Sequence, residues 1–106
     1  MSRMFEVAHA PLPLRERVLH PWRAHTHCRM HNRTRANMRI TVLEDRLDPR
    51  WQFRTTLGPG ESMLYGIPPG ARYVCVTVQY TDEDGGERWL ELNRRVEAGE
   101  LLEMVQ

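Results

Sequence analysis

The sequence contains no lysine: all 15 of its basic residues are arginine. Arginine binds carboxylate and phosphate groups with two parallel hydrogen bonds, whereas lysine acts as a point charge. The bias reflects either the codon usage of a GC-rich genome or a selection for contacts with anionic partners. Long apolar runs are also absent, and without about 18 consecutive apolar residues we expect no transmembrane helix and no membrane partner. Residues 1–7 include no apolar segment, so we expect no secretory signal and a cytoplasmic location.

Cysteine is scarce, since only Cys28 and Cys75 are present. Two cysteines are too few for a disulfide framework, and we expect both to be free thiols. Catalytic motifs are absent as well. No glycine-rich phosphate-binding loop occurs, and Gly60–Leu64 lacks the final glycine of a hydrolase nucleophile elbow. The sequence therefore predicts a protein that is not an enzyme and that uses no cofactor.

The length of 106 residues and the hydrophobic content of 41% are those of one globular domain, spanning residues 1–106. The net charge of +1 hides an uneven distribution of charge. Residues 1–39 contain eight arginines and two acids, whereas residues 40–106 contain seven arginines and twelve acids. This division predicts a dipolar surface with its basic pole in the first third of the chain.

Short β-branched segments between turn signals make up most of the chain. The clearest is Arg72–Thr81, which a loop at Asp82–Gly86 joins to Glu87–Asn93 in a predicted hairpin. Met38–Glu44 alternates apolar and polar residues, as a half-buried strand does. Further strands are predicted at Met4–Ala8, Arg15–His20, Trp51–Leu57, Ser62–Ile67 and Glu100–Val105, the last of which could also form a turn of helix.

Seven to nine short strands, with turns about every ten residues, predict an all-β fold. The specific expectation is a two-sheet antiparallel β-sandwich. In a strand, Trp89 would point to the face opposite that of Leu90 and Leu92, so an apolar side chain lies on each face. One of those faces is therefore misassigned or lies in an interface. The predicted core consists of Met30, Ile40, Val42, Phe53, Val74, Val76, Val78, Leu90 and Leu92.

Two groups of residues resemble known β-sandwich families. Cys28, Trp51 and Cys75, with Tyr73 two residues before the second cysteine, resemble the pattern of immunoglobulin domains, where a disulfide joins the sheets. The alternation around each cysteine points Cys28 inward and Cys75 outward, so we expect the architecture without the disulfide.

The second resemblance covers residues 57–106 and is to transthyretin-like and carboxypeptidase-regulatory-like domains. Those families often act as non-catalytic accessory or adhesion modules, and the resemblance implies a comparable role here. The resemblance is to short turn and strand segments of those families, and it involves Leu57–Glu61, Gly66–Gly70, Tyr73–Val76 and Val96–Glu100.

A row of basic side chains is the main candidate for a functional surface. Between residues 25 and 35 every second position is His or Arg, and the positions between them carry no charge. On an extended strand such a row occupies one face, while the alternate residues point inward. Arg33 and Arg35 fall near a predicted turn at Asn32–Asn37. The row comprises His25, His27, Arg29, His31, Arg33 and Arg35.

We predict that residues 20–39 form the contact surface of a protein-binding or structural-assembly module. Its partner would be an acidic protein or the acidic part of a sister subunit. Nucleic acid is the weaker alternative, because binding of single strands uses exposed aromatic side chains and only Trp22 lies near the row. The predicted partner-binding residues are Trp22, Arg29, His31, Arg33 and Arg35.

His25 and His27 support an alternative function, that of a small metal-binding protein. Alternate residues on a strand lie about 6.6 Å apart, so two imidazoles could reach one ion. His31 would lie about 13 Å beyond His27, too far to join them. A third ligand would have to come from His9 or His20.

Overall fold

The computed structural model describes residues 5–44, 50, 52–81 and 89–106, with residues 81, 89 and 90 described by their backbone alone. This part of the chain forms strands joined by short turns, with two short helices between the first two strands. The elements are β1 (Glu6–Pro11), α1 (Leu14–Leu19), α2 (Arg23–Thr26), β2 (His27–Arg33), β3 (Met38–Leu43), β4 (Gln52–Leu57), β5 (Ser62–Gly66), β6 (Tyr73–Thr81), β7 (Trp89–Glu97) and β8 (Glu100–Val105).

The strands form two four-stranded sheets, which confirms the predicted β-sandwich. Sheet A has the order β1-β8-β2-β5, and sheet B has the order β4-β3-β6-β7. The pairs are antiparallel except β2 with β8, which is parallel. The parallel pair arises because the chain leaves β1, passes through the two helices and re-enters the sheet on the far side of β8. The helices therefore lie at the crossover, next to the row of basic residues.

Alternation of apolar side chains places the core between the two sheets. Most of the predicted core is confirmed as fully buried: Met30, Ile40, Val42, Val74, Val76 and Val78. Leu92 is partly buried against this core. Phe53 was wrongly placed in it, because β4 is an edge strand and leaves the Phe53 side chain 41% exposed beside the Tyr65 ring.

Several expectations concern residues outside the described part of the chain. Trp51 and the loop Asp82–Gly86 lie there, as do the side chains of Trp89 and Leu90. The resemblance to immunoglobulin-like and transthyretin-like domains stays a prediction, since many unrelated families share the sandwich architecture.

No disulfide joins Cys28 and Cys75, and both are thiols, as the alternation predicted. Cys28 is buried on the inner face of sheet A, whereas Cys75 is partly exposed on β6. Burial raises the pKa of the Cys28 thiol to about 12, so the group stays protonated at neutral pH. Cys28 therefore acts as a small apolar core residue.

One predicted strand is a helix. Arg15–His20 was expected to be extended, but Leu14–Leu19 forms α1, with backbone bonds from Arg17 N to Pro13 O and from His20 N to Glu16 O. Proline is common where a helix begins, and leucine, arginine and glutamate have high helix propensity. These local preferences favour a helix over the predicted strand.

Asn32 closes the turn between β2 and β3 from inside the core. The fully buried amide donates from Nδ2 to the backbone oxygens of Ala36 (2.8 Å), Leu57 (3.0 Å) and Gly58 (3.1 Å). Its Oδ1 accepts hydrogen bonds from the backbone nitrogen and the hydroxyl of Thr34, at 2.9 and 2.6 Å. One side chain thus joins the end of β2 to the end of β4.

Candidate partner-binding surface

The basic side chains form a row on one face along the length of β2, and the row ends where the strand ends. His27, Arg29, His31 and Arg33 lie on the outer face of sheet A, because the alternate positions of β2 are buried. His25 does not share this strand, since it lies in α2. Arg35 is exposed in the turn after β2, where its backbone nitrogen donates to Gln106 Oε1.

Arg29 is held by an internal carboxylate. Its Nε donates to Glu16 Oε2 and its Nη2 to Glu16 Oε1, both at 3.0 Å, and its Nη1 donates to the hydroxyl of Ser62 at 3.1 Å. Arg23 adds a further bond to Glu16 Oε1 at 3.2 Å. These bonds fasten α1 and α2 to sheet A, so within this structure Arg29 positions the helices.

The hydrogen bonds from Arg29 lower the pKa of Glu16, and the positive charges of Arg29 and Arg23 act in the same direction against the opposing effect of burial. A carboxyl whose pKa is lower in the folded state stabilises the fold above its unfolded pKa. That stabilisation is lost as the pH falls through the lowered folded pKa. The attachment of the helices is therefore sensitive to acid.

We expect Glu16→Gln to lower the free energy of unfolding by about 1.5–3 kcal/mol at pH 7, because a charge-assisted pair becomes a neutral one. The difference from the unsubstituted protein should shrink as the pH falls through the lowered pKa of Glu16, because the carboxyl itself then becomes protonated. Urea unfolding at several pH values measures both effects.

A matched control is Glu97→Gln, which removes the carboxylate of the exposed pair with Arg95. Exposed pairs contribute about 0–1 kcal/mol, so this variant should stay close to the unsubstituted protein. Equal losses in the two variants would show that Glu16 does not fasten the helices.

Helix α1 buries an acidic side chain and exposes apolar ones, the opposite of a typical surface helix. Its one buried residue is the acid Glu16, and its apolar residues face outward. Leu14 and Val18 are four residues apart and so share one side of the helix. Trp22 follows in the turn before α2, with its ring edge-on to His20 at a centroid distance of 5.1 Å. We call the four exposed apolar residues of this segment the cap surface: Leu14 (67% exposed), Val18 (68%), Leu19 (57%) and Trp22 (56%).

The exposed charges within the segment that carries the cap surface, residues 12–26, are basic. Arg15 and Arg17 are exposed on α1 itself, and Glu16, the one acid within residues 12–26, is turned away from solvent. An apolar patch with a cationic rim fits a partner that combines apolar and acidic side chains.

Farther along β2, strand β8 brings acidic residues against the basic row. Arg33 Nη1 donates to Glu103 Oε2 at 3.2 Å, and His31 lies directly opposite Glu103 in the register of the two strands. His9 and Glu100 are similarly paired at 3.2 Å on the other side of β8. The acidic half of the chain thus offsets part of the predicted basic pole, which leaves the helices as its more strongly basic end.

The two histidines of the metal hypothesis lie on different elements. His25 is exposed in α2, whereas His27 begins β2 and its Nδ1 lies 2.6 Å from the hydroxyl of Thr26. The spacing of alternate strand residues therefore does not apply to them. In the part of the chain that the structure describes, no three His, Cys, Asp or Glu residues are grouped as metal ligands are. Metal binding stays a hypothesis from the sequence.

Sequence reasoning missed most of the cap surface. Of its four residues it selected only Trp22, because Arg15–His20 was interpreted as a strand. The signal that identifies the helix is the spacing of Leu14 and Val18 directly after Pro13.

Comparison with protein-family models, with curated proteins and with solved structures found no match to this chain. Neither helix that the structure describes has the length and apolar character needed to cross a membrane.

Proposed function

We propose that this chain is a non-enzymatic protein-binding module that contacts an acidic, partly apolar segment of another protein. The contact would use the cap surface together with the basic residues of the 20–39 segment. The observation that supports this proposal is that α1 buries Glu16 and exposes its apolar side chains. A helix that buries its acid and exposes its apolar side chains gains from contact with a partner that covers them.

One residue of the cap surface, Trp22, is of a type that anchors protein interfaces, and Arg15 and Arg17 lie beside that surface. Tryptophan and arginine are enriched among the residues whose truncation costs most binding energy, and such anchors cluster at the centre of an interface. Full burial of a leucine or valine side chain contributes about 1.5–3 kcal/mol. Trp22, with Leu14 and Val18, would supply this apolar contact.

The arginines would set the orientation and the charge of the partner. Arg15 and Arg17 flank the cap surface, and Arg35 adds a positive charge in the turn after β2, whereas the charge of Arg33 is offset by Glu103. Their guanidinium groups can hold carboxylates with paired hydrogen bonds. Association should therefore slow and weaken as salt is added, since added ions screen exposed charges.

The test is selection from a random-peptide display library on the full chain, followed by affinity measurement. We expect the enriched peptides to combine Asp or Glu with Leu, Phe or Trp. Trp22→Ser should weaken their binding about 30-fold, as loss of a central interface anchor does. Arg15→Gln with Arg17→Gln should weaken it less and should reduce its dependence on salt.

Phe53→Ser is the matched control, because Phe53 is also exposed but lies on β4 of the other sheet. It should leave peptide binding unchanged. Enriched peptides without acidic residues, or equal affinity for the Trp22→Ser variant, would contradict the proposal. Sedimentation of the purified chain distinguishes a sister subunit as the partner, since self-association would then be lost in Trp22→Ser.

A further inference from the structure

The outer face of sheet B carries a patch of a different kind from the cap surface. Strands β3, β4 and β6 contain no acidic residue, although residues 40–106 as a whole hold twelve. Their polar outward positions are instead occupied by threonine, glutamine and arginine. The acids of sheet B that the structure describes lie on β7, at Glu91 and Glu97.

Four outward side chains on β3 and β4 stand at the corners of a square. Arg39 pairs with Thr56 and Thr41 pairs with Arg54 in the register of the two strands. The two arginines therefore occupy one diagonal and the two threonines the other. With strands about 4.8 Å apart and alternate residues about 6.6 Å apart, the diagonal is roughly 8 Å long. Two arginine side chains can both reach a group above the centre of such a square.

The square forms the floor of an open depression of about 490 Å³. Gln79 of β6 borders it on the side of Arg39, and Gln79 Nε2 donates to Glu91 Oε2 at 3.2 Å. On the other side Arg54 Nη2 donates to Gln52 Oε1 at 3.0 Å, which steadies its guanidinium. The carboxylate of Glu91 is thus engaged with Gln79, one strand beyond the depression.

An anion placed between two arginines on neighbouring strands is attracted by both guanidinium groups. A phosphate group presents several acceptor oxygens in a tetrahedral arrangement. Guanidinium groups bind such oxygens with paired hydrogen bonds, and threonine hydroxyls can donate to those that remain.

We propose that Arg39, Arg54, Thr41 and Thr56 form a binding site for a phosphate group. The site lies on sheet B, whereas the cap surface lies on the helices next to sheet A. The proposal of a phosphate site therefore does not depend on the proposed protein-binding function. Its ligand is either free phosphate or a phosphate monoester on a larger molecule.

The test is a titration of the ¹⁵N-labelled full chain with inorganic phosphate and, separately, with phenyl phosphate, followed by NMR at constant ionic strength. We expect saturable shifts of the backbone amides of the four site residues. Tighter binding of phenyl phosphate would identify a monoester as the ligand, and equal binding would identify free phosphate. Arg54→Gln and Arg39→Gln should each weaken binding about tenfold, because each removes a charge-assisted contact.

Thr56→Val keeps the shape of the side chain and removes its hydroxyl, so a smaller, few-fold loss is expected. Arg72→Gln, which alters an exposed arginine outside the depression, should leave the affinity unchanged. Shifts that rise linearly without saturation, an equal loss in Arg72→Gln, or equal binding of acetate would overturn the proposal. The dispersion of each variant's spectrum shows whether it is folded.

Discussion

Replacing Asn32 by alanine is expected to lower the free energy of unfolding by about 3–4 kcal/mol, since it leaves several buried polar groups without partners. The side-chain amide of Asn32 donates hydrogen bonds to three backbone oxygens and accepts hydrogen bonds from two groups of Thr34. No alanine atom can replace any of these bonds, and the buried site is closed to water. Urea unfolding measures the loss.

Asn32→Asp provides a sharper form of the same experiment. Aspartate keeps the oxygen that accepts from Thr34 but places a second oxygen against the carbonyl groups of Leu57 and Gly58. We expect the variant to be less stable than Asn32→Ala at neutral pH and to recover part of the difference at low pH, where the carboxyl is protonated and can donate.

Asn93→Ala is the control for both variants, because Asn93 is exposed and its amide oxygen accepts a bond from the hydroxyl of Thr77. It should cost less than about 1 kcal/mol. A loss of similar size for Asn32→Ala would mean that the buried amide does not hold the two strand ends together.

Gly99→Ala is the second substitution with a large expected effect, about 2–4 kcal/mol of destabilisation. Gly99 has a φ of +87°, and an added Cβ would lie 2.6 Å from the backbone oxygen of Ala24 in α2. Its own backbone nitrogen donates to His27 O at 2.7 Å, and its oxygen accepts from Leu12 N at 2.9 Å. The methyl group would therefore push α2 away from the turn between β7 and β8.

Gly70→Ala separates the two causes of this effect. Gly70 has a φ of +86° but nothing lies within 4 Å of an added Cβ, so its substitution measures backbone strain alone. We expect a cost of about 1–2 kcal/mol there. Thermal or urea unfolding of both variants gives the difference, and equal losses would show that the approach of α2 to Gly99 adds nothing.

Alternation in the sequence predicted the sandwich because the two faces of most strands differ strongly in polarity. The alternation along residues 25–35 predicted that Cys28, Met30 and Asn32 point inward, and all three are buried. It could not predict that β2 and β8 run parallel, since side chains alternate with the same period in parallel and antiparallel pairs.

The candidate site was harder to predict than the fold. Assigning Arg15–His20 to a strand separated Glu16 from Arg29, thirteen residues away, and hid the bond that occupies the middle of the basic row. The segment is only six residues long, so periodicity distinguishes helix from strand poorly and the signals of the helix start decide. The acidic residues of β8 are equally distant in sequence, so their contact with Arg33 follows from topology and not from any local pattern.

The position of β8 has a consequence for the order of folding. This strand is inserted between β1 and β2, and its pairing of Arg29 with Leu101 joins residues about seventy positions apart. Sheet A therefore cannot assemble while only the first half of the chain is present. Contacts so distant in sequence slow folding and leave early strands exposed during synthesis. Strands β1 and β2 emerge from a ribosome before β8, and they can complete their sheet only after β8 has been made.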